Sequence, residues 1–306
     1  MAGWESNGTV QVATLWKNGS PIALSDGIHG ALATAIAVSG QDVHVAGGVD
    51  GGTADVATTW RNGVAVPLTD GTVQAFAEAI AVSNGSVYVA GYEGPAARVW
   101  KDGVPTTLST GTSGANALSI AVSGEDVYVA GYEVEGTEVS PGSFLFTQVA
   151  RYWVNGVVHV LSDGTSPAVA SAIAVSDGHV LVAGWTASGS KLVATLWRDG
   201  IPTYLTDGLF GAKAVALAVG LEGVLVAGGE NDGNVDVAKV WTNGVPTDLT
   251  YGASQSFAKA VAVDGGDVYV AGYQGSVVTY WKNGAPVALT DGSVDADARA
   301  IAIIAR

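Results

Sequence analysis

The feature of this chain that most constrains its fold is a short motif, Trp-x-Asn/Asp-Gly, that occurs seven times. The motif begins at Trp16, Trp60, Trp100, Trp153, Trp197, Trp241 and Trp281. Successive tryptophans are 44, 40, 53, 44, 44 and 40 residues apart. A period in the forties with short β-rich runs in each unit is typical of β-propellers, in which one repeat forms one blade. The sequence predicts an all-β fold, a seven-bladed β-propeller of four-stranded antiparallel blades.

The repeats also bear on domain organisation. From its length alone, a chain of this size is expected to form about two domains. A blade cannot bury its faces alone, so the repeats must close into one ring. We therefore expect residues 1–306 to form a single propeller domain.

Composition excludes several classes of function. The 13 Lys and Arg residues against 28 Asp and Glu residues give a formal net charge of −15. Nucleic-acid surfaces need clustered basic side chains, so we expect no nucleic-acid partner. Cysteine is absent, which excludes disulfides and thiolate metal sites. No apolar run approaches the roughly 20 residues that span a bilayer, so we expect no membrane insertion.

One repeat illustrates the predicted blade. Its strands are predicted at 119–123, 126–132, 149–153 and 157–161, with a long loop over 133–148. Asn-Gly and Asp-Gly between short β-rich runs favour tight hairpins, because Asn, Asp and Gly tolerate a positive φ.

In this arrangement the chain resembles the Trp-Asp (WD) repeat propellers, in which a Trp ends the third strand of each blade. The seven repeat tryptophans match that position. The family's Asp after the Trp is replaced by Lys17, Arg61, Lys101, Val154, Arg198, Thr242 and Lys282, and its Gly-His pair is also missing. The resemblance therefore implies the strand order but not the family's hydrogen-bond network. The motif is also similar to uncharacterised propeller repeats of exported bacterial proteins, which implies an extracytoplasmic or secreted location.

The two ends of the chain predict how the ring closes. The C-terminus has an inner-strand pattern at 299–304, and residues 2–5 match the end of a second strand. We expect these segments to pair and to share one blade, which removes open edges. Residues 1–10 have no signal-peptide pattern, and Met1 aligns partway into a strand, so we expect the native chain to begin further upstream.

Loop lengths predict which face of the ring carries function. The turns from first to second strand and from third to fourth strand are all short, and they share one face. The second-to-third loops and the crossings between blades vary, and they share the other. Binding residues concentrate on loops of rigid scaffolds, so we place the site on this variable face.

Two sets of residues on the variable face are candidate ligand contacts. The first is the middle residue of an Ala-x-Ala pattern before each inner strand, which we expect to ring the channel mouth: Thr34, Glu78, Leu118, Ser171, Val215, Lys259 and Arg299. Lys259 and Arg299 are predicted to receive an anion with Glu78 opposite them; the alternative is a solvated entrance. Replacing both cations by Ala is predicted to leave stability nearly unchanged.

The second set is the aromatic residue after an Ala-Gly pair. Its members are Trp4, Tyr92, Tyr132, Trp185 and Tyr273, and Gly48 and Gly229 stand in the remaining repeats. Acidic or amide side chains follow four of them: Glu5, Glu93, Glu133 and Gln274. Aromatic rings beside carboxylates suit sugars, whose CH faces stack while their hydroxyls form hydrogen bonds. The alternative is that the rings are wedges packed between blades.

The sequence contains no recognisable motif for catalysis or for a cofactor. The four histidines form no Ser-His-Asp, HExxH or paired pattern. The repeated Asp-Gly aspartates are predicted to form Asx turns, and the segment 231–236 lacks the bidentate Glu of a calcium loop. We therefore assign no catalytic residue, no metal and no cofactor.

The sequence leaves three alternative predictions for the function. The leading prediction is a monomeric, non-catalytic binding propeller for a glycan or protein ligand. An alternative is an enzyme acting on polysaccharides with Glu78, Glu93 and Glu133 as acid and base. Another is a repeat scaffold with no ligand of its own.

Overall fold

The computed structural model describes residues 1–109, 113–140, 142–251 and 254–303. The described residues contain no helix and form seven four-stranded antiparallel sheets arranged in a ring. The predicted seven-bladed β-propeller is confirmed. We number the blades from the one that contains the N-terminus.

Each blade has four strands that run from the channel to the rim. The inner strands of blades 1 to 7 are β28 (Ala296–Ala300), β4 (Ala31–Ser39), β8 (Ala75–Ser83), β12 (Ala115–Ser123), β16 (Ala168–Ser176), β20 (Ala212–Gly220) and β24 (Ser256–Asp264). The second strands are β1 (Ala2–Ser6), β5 (Asp42–Asp50), β9 (Ser86–Glu93), β13 (Asp126–Ser140), β17 (His179–Ser188), β21 (Gly223–Asn231) and β25 (Asp267–Gln274).

The two remaining strands form the outer half of each blade. The third strands are β2 (Gln11–Lys17), β6 (Asp55–Arg61), β10 (Ala96–Lys101), β14 (Ser143–Val154), β18 (Lys191–Arg198), β22 (Asp236–Thr242) and β26 (Val277–Lys282). The outer strands are β3 (Ser20–Ala23), β7 (Val64–Pro67), β11 (Val104–Thr107), β15 (Val157–Val160), β19 (Ile201–Tyr204), β23 (Val245–Asp248) and β27 (Ala285–Ala288).

The Trp-x-Asn/Asp-Gly motif forms the tight turn between third and outer strand. In blade 2, Asn62 has φ 52° and Gly63 has φ 85°, and the same left-handed pair recurs at all seven motif turns. Two successive positive φ values define the hairpin turn that matches the twist of β-strands. The Asn62 Oδ1 atom also accepts the Val43 N–H at 2.9 Å, which ties this turn to the second strand.

The crossings between blades are fixed by side-chain hydrogen bonds. The Thr69 hydroxyl accepts the N–H of Ala57 on the third strand at 3.1 Å, and Ser or Thr does the same in every blade. The next residue, Asp70, accepts the Thr72 N–H at 2.9 Å. The equivalent aspartates in four other crossings form the same bond, so the predicted Asx turns are confirmed.

The hydrophobic core lies between the blades. Trp60, which is 1% exposed, packs with Ala13 and Leu15 of the preceding blade. All seven repeat tryptophans are buried, with at most 1% of each residue exposed. Five of their Nε1 atoms (Trp16, Trp100, Trp153, Trp241 and Trp281) are buried without a hydrogen-bond partner in the described part of the chain. These tryptophans therefore stabilise the ring by apolar packing.

The ring closes through a shared blade, as predicted, but in a different register. β28 is the inner strand of blade 1 and pairs with β1, with Ala300 opposite Ala2 and Asp297 opposite Trp4. The predicted inner strand at 299–304 was placed about three residues too late, because the paired segment is 296–300. Ile304 lies outside the described residues.

The predicted loop over 133–148 was wrong. β13 continues to Ser140 and β14 begins at Ser143, and the two strands pair along this length. The segment is rich in Val, Thr, Phe and Leu, which favour strands. Blade 4 therefore carries a long hairpin, and Phe144, Leu145 and Phe146 near its tip are each more than half exposed.

Candidate functional site

The seven variable residues of the Ala-x-Ala pattern are β-bulges. In blade 2, Ala33 pairs with Gly47 and Ala35 pairs with Ala46, so Thr34 is the extra residue between them. The same shift occurs at each equivalent position. The prediction that these residues precede the inner strand was wrong: they lie inside it. A bulge re-aims a side chain, which is why such positions recur near binding sites.

The bulge explains the Ala-Gly pair on the second strand. A Cβ atom on Gly47 would lie 1.9 Å from the Leu32 carbonyl oxygen. The corresponding glycine of every other blade meets a backbone oxygen at 1.9–2.0 Å. Only glycine fits opposite the bulge, so the Gly of the Ala-Gly pair is required by the backbone conformation of the blade.

Around the channel the bulge residues are unevenly distributed. The order of the blades places Lys259, Arg299, Thr34 and Glu78 on consecutive blades 7, 1, 2 and 3. Leu118, Ser171 and Val215 follow on blades 4, 5 and 6. One arc of the channel is therefore charged or polar, and the other is largely apolar.

The two cations of this arc share one carboxylate. The Lys259 Nζ atom donates to Asp297 Oδ2 at 2.5 Å, across the junction between blades 7 and 1. The Arg299 Nε atom donates to the same oxygen at 3.2 Å. The Asp297 side chain is 9% exposed, and its Oδ1 atom is buried with no hydrogen-bond partner among the described residues. Lys259 and Arg299 are therefore not free to receive an anion as an isolated pair.

The other residues of the arc also bridge to the following blade. The Asn116 Nδ2 atom donates to Glu78 Oε1 at 3.1 Å, and the Thr34 hydroxyl donates to the Ala77 carbonyl at 2.7 Å. Burial raises the pKa of Glu78, while the Asn116 hydrogen bond and the charge of Arg299 oppose the shift. Ser171, on the opposite arc, is half-buried.

The aromatic residues after Ala-Gly lie at the junctions between blades. Where Gly48 stands in this position, a Cβ atom would lie 2.2 Å from the ring of Phe76 in the next blade. Gly229 and Phe257 repeat the arrangement, with a distance of 2.6 Å. Each junction thus has one ring, supplied by Trp4, Tyr92, Tyr132, Trp185 or Tyr273 from one side or by Phe76 or Phe257 from the other. This favours the wedge interpretation for most of the set.

At the junction of blades 7 and 1 an aromatic ring borders an open cavity. The cavity has a volume of about 270 Å³ and is lined by Trp4, Tyr273, Lys259 and Asp297 with parts of two variable-face loops. Lys259 Nζ lies 5.3 Å from the centre of the Tyr273 ring, a cation–π distance. The Trp4 Nε1 atom is buried with no hydrogen-bond partner in the described segments. Three of the predicted elements of the site, a cation and two aromatic rings, therefore meet here.

The two other carboxylates proposed for catalysis are held by arginine. Glu93 Oε2 lies 3.2 Å from Arg98 Nε, and Glu133 Oε2 lies 2.9 Å from Arg151 Nε. Lys239 and Glu230 form the same diagonal pair in blade 6, at 3.2 Å. These contacts join neighbouring strands within a blade, which gives Glu93 and Glu133 a structural role.

No group of three or more His, Asp or Glu side chains among the described residues could hold a metal ion. In the 231–236 segment, Asp232 Oδ1 accepts the N–H groups of Asn234 and Val235, at 2.8 and 3.0 Å. The carboxylate thus stabilises the turn. Within the described ranges, no helix is long and apolar enough to cross a membrane.

Asp297 is the site residue that the sequence analysis missed. It occupies the position two residues before the bulge, where Leu32, Phe76, Val169 and Phe257 stand in four other blades and Asn116 and Lys213 in the remaining two. A carboxylate in a mostly apolar position was a usable signal. The signal was lost because the inner strand was predicted to begin after this position.

No protein-family model matches this chain, and no curated protein is significantly similar to it in sequence.

Proposed function

We propose that the protein is a non-catalytic binding propeller that recognises a neutral sugar residue in the cavity between blades 7 and 1. The observation that carries the proposal is the group of Trp4, Tyr273, Lys259 and Asp297 around that cavity. Aromatic faces stack on the CH faces of a sugar. Asp297 Oδ1 and Trp4 Nε1 are buried without a hydrogen-bond partner among the described residues. They would serve as acceptor and donor for sugar hydroxyl groups once a bound ligand shifts the atoms that cover them.

The size of the cavity limits what it holds. Pockets for drug-sized ligands have volumes of about 300–1,000 Å³, and this one has about 270 Å³. One monosaccharide, or the terminal residue of a glycan, is the matching ligand. We expect this ligand to be neutral, because Asp297 already forms ion pairs with Lys259 and Arg299 and would repel a ligand carboxylate.

A glycan array followed by titration calorimetry tests the proposal. The wild-type protein is expected to bind glycans that end in neutral sugars, and Tyr273→Ala is expected to abolish binding. Tyr132→Ala is the matched control, since Tyr132 has the same structural position at another junction, and it is expected to retain binding. Absence of any glycan ligand, or equal affinity of Tyr273→Ala and wild type, rules out the proposal.

One feature favours a protein ligand as a second candidate. The blade 4 hairpin presents Phe144, Leu145 and Phe146 with 52–60% of each residue exposed. Exposed apolar residues in a group mark interaction sites. A peptide array compared between wild type and a Phe144→Ser/Phe146→Ser variant tests this candidate, because only binding at the hairpin is lost in that variant.

The enzymatic alternative has weaker support, because Glu93 and Glu133 form ion pairs with arginine. The scaffold alternative predicts no ligand on either array. We also infer a distant relation to the WD-repeat propellers and to exported bacterial propeller repeats, and with it an extracytoplasmic location. This inference is supported by the position of the repeated Trp at the end of the third strand.

A further inference from the structure

The outer strands of a propeller have unpaired edges that can bind another chain. In each outer strand the second and fourth residues point their N–H groups away from the blade. The residue directly after each outer strand points its N–H into the blade. Leu24 N–H donates to Ala13 O at 2.7 Å in blade 1, and Leu161 N–H donates to Ala150 O at 2.9 Å in blade 4. Residues two apart on a strand share their hydrogen-bonding side.

Six of the seven outer strands in the described ranges have a proline at one of these two outward positions. The prolines are Pro21, Pro67, Pro105, Pro202, Pro246 and Pro286. Proline has no N–H, so an added strand cannot form a regular ladder there. β15 has the sequence Val-Val-His-Val, and it keeps the outward N–H groups of both Val158 and Val160. Blade 4 is thus the one blade in the described part of the ring whose edge is unprotected.

We propose that β15 pairs edge to edge with β15 of a second copy of this chain. In an antiparallel pair centred on His159, Val158 of each copy lies opposite Val160 of the other, and four backbone hydrogen bonds form. This pairing is closed and two-fold symmetric, so it ends at a dimer.

The properties of the strand favour a second copy as the occupant. From 154 to 162 the sequence contains no Asp, Glu, Lys or Arg, so no like charges meet within the contact. Val158 and Val160 are 45% and 57% exposed, and in this register each is the apolar partner of the other across the contact. Val157, beside them, is 63% exposed. A four-residue strand buries less surface than the roughly 1,200–2,000 Å² of a stable interface. The dimer is therefore weak, and it forms only at high protein concentration.

Sedimentation velocity over a wide concentration range tests the proposal. The wild-type chain is expected to shift reversibly from monomer to dimer. Val158→Pro removes two of the four hydrogen bonds, and it is expected to weaken the dimer by about tenfold or more. Ala65→Pro places a proline at the equivalent position of β7, whose edge already has Pro67, and it is expected to dimerise like wild type.

A gain-of-function variant completes the test. Pro105→Val exposes a second unprotected edge on blade 3, and it is expected to form species larger than the dimer. A wild-type chain that stays monomeric at every concentration, or a dimer that Val158→Pro leaves unchanged, overturns the proposal. If the chain is monomeric but binds an unrelated extended peptide at β15, a second copy is the wrong occupant and the proposal also fails.

Discussion

The Lys259 ammonium group lies 2.5 Å from the carboxylate of Asp297, across the junction that closes the ring. Arg299 binds the same carboxylate oxygen from within blade 1, at 3.2 Å. Because the Asp297 side chain is 9% exposed, these two cations take the place of water as its electrostatic partners. The contact links the closure of the propeller to the proposed binding cavity, since the same residues serve both.

The Lys259→Ala/Arg299→Ala variant is therefore expected to be less stable than wild type. It leaves a buried carboxylate unpaired, which costs about 1–3 kcal/mol. Denaturant unfolding measures the loss. Adding Asp297→Ala should recover part of it, because the unpaired charge is removed. A double variant as stable as wild type would restore the expectation from sequence that these cations are independent of the fold.

Gly91→Ala is expected to destabilise the protein by about 3 kcal/mol or more. The new Cβ atom would lie 2.0 Å from the Phe76 carbonyl oxygen, and this backbone atom cannot move without breaking the bulge. Gly266→Ala is the control, because its Cβ atom has no neighbour within 4 Å. Thermal unfolding of the two variants should differ by most of the predicted amount. Equal effects would mean that the bulge does not require glycine.

The local features of this fold were predictable from the sequence. The turn at Asn62 and Gly63 needs positive φ at both residues, and few other pairs tolerate that conformation. Blade number followed from counting such turns, and the shared blade followed from the strands missing at each end. The turn signals are contained within a few consecutive residues, and the shared blade needed only a count of the strands at the two ends.

Features that depend on two strands at once were not predictable in the same way. The bulge at Thr34 exists only relative to Gly47 on the second strand, and neither residue alone reveals the shift. At the junction of blades 2 and 3, Gly48 stands where other blades have an aromatic residue, and Phe76 of the next blade supplies the ring instead. This exchange of rings involves two blades. Asp297 was missed for the same reason, since its partner Lys259 precedes it by 38 residues.

The exchange of rings predicts strong coupling between positions 48 and 76. Gly48→Tyr alone would overlap the Phe76 ring, where a Cβ atom already lies within 2.2 Å, and it is expected to cost about 1–3 kcal/mol. Phe76→Val alone leaves a cavity. The combined variant reproduces the Tyr132 and Val169 arrangement of another junction, and it should be more stable than the sum of the single changes predicts. A double-mutant cycle by chemical unfolding measures this coupling, and additive effects would contradict the exchange.

The last prediction concerns the pH dependence of stability at Glu78. Burial raises the pKa of this carboxyl above its ordinary value of 4.5. Because the pKa of Glu78 is higher in the folded than in the unfolded protein, the folded protein binds the proton more tightly. The stability that this group contributes is therefore present at low pH and is lost as the pH rises through the folded pKa.

Glu78→Gln keeps an oxygen that can accept the Asn116 hydrogen bond and removes the charge. The variant is expected to be more stable than wild type at pH 7, with a difference that shrinks as pH falls toward 4.5. Unfolding measured across this pH range tests the sign. Glu125→Gln, on an exposed turn, is the control for the exchange of a carboxylate for an amide. A loss of stability at pH 7 in Glu78→Gln would indicate that the charge itself stabilises this arc of the channel.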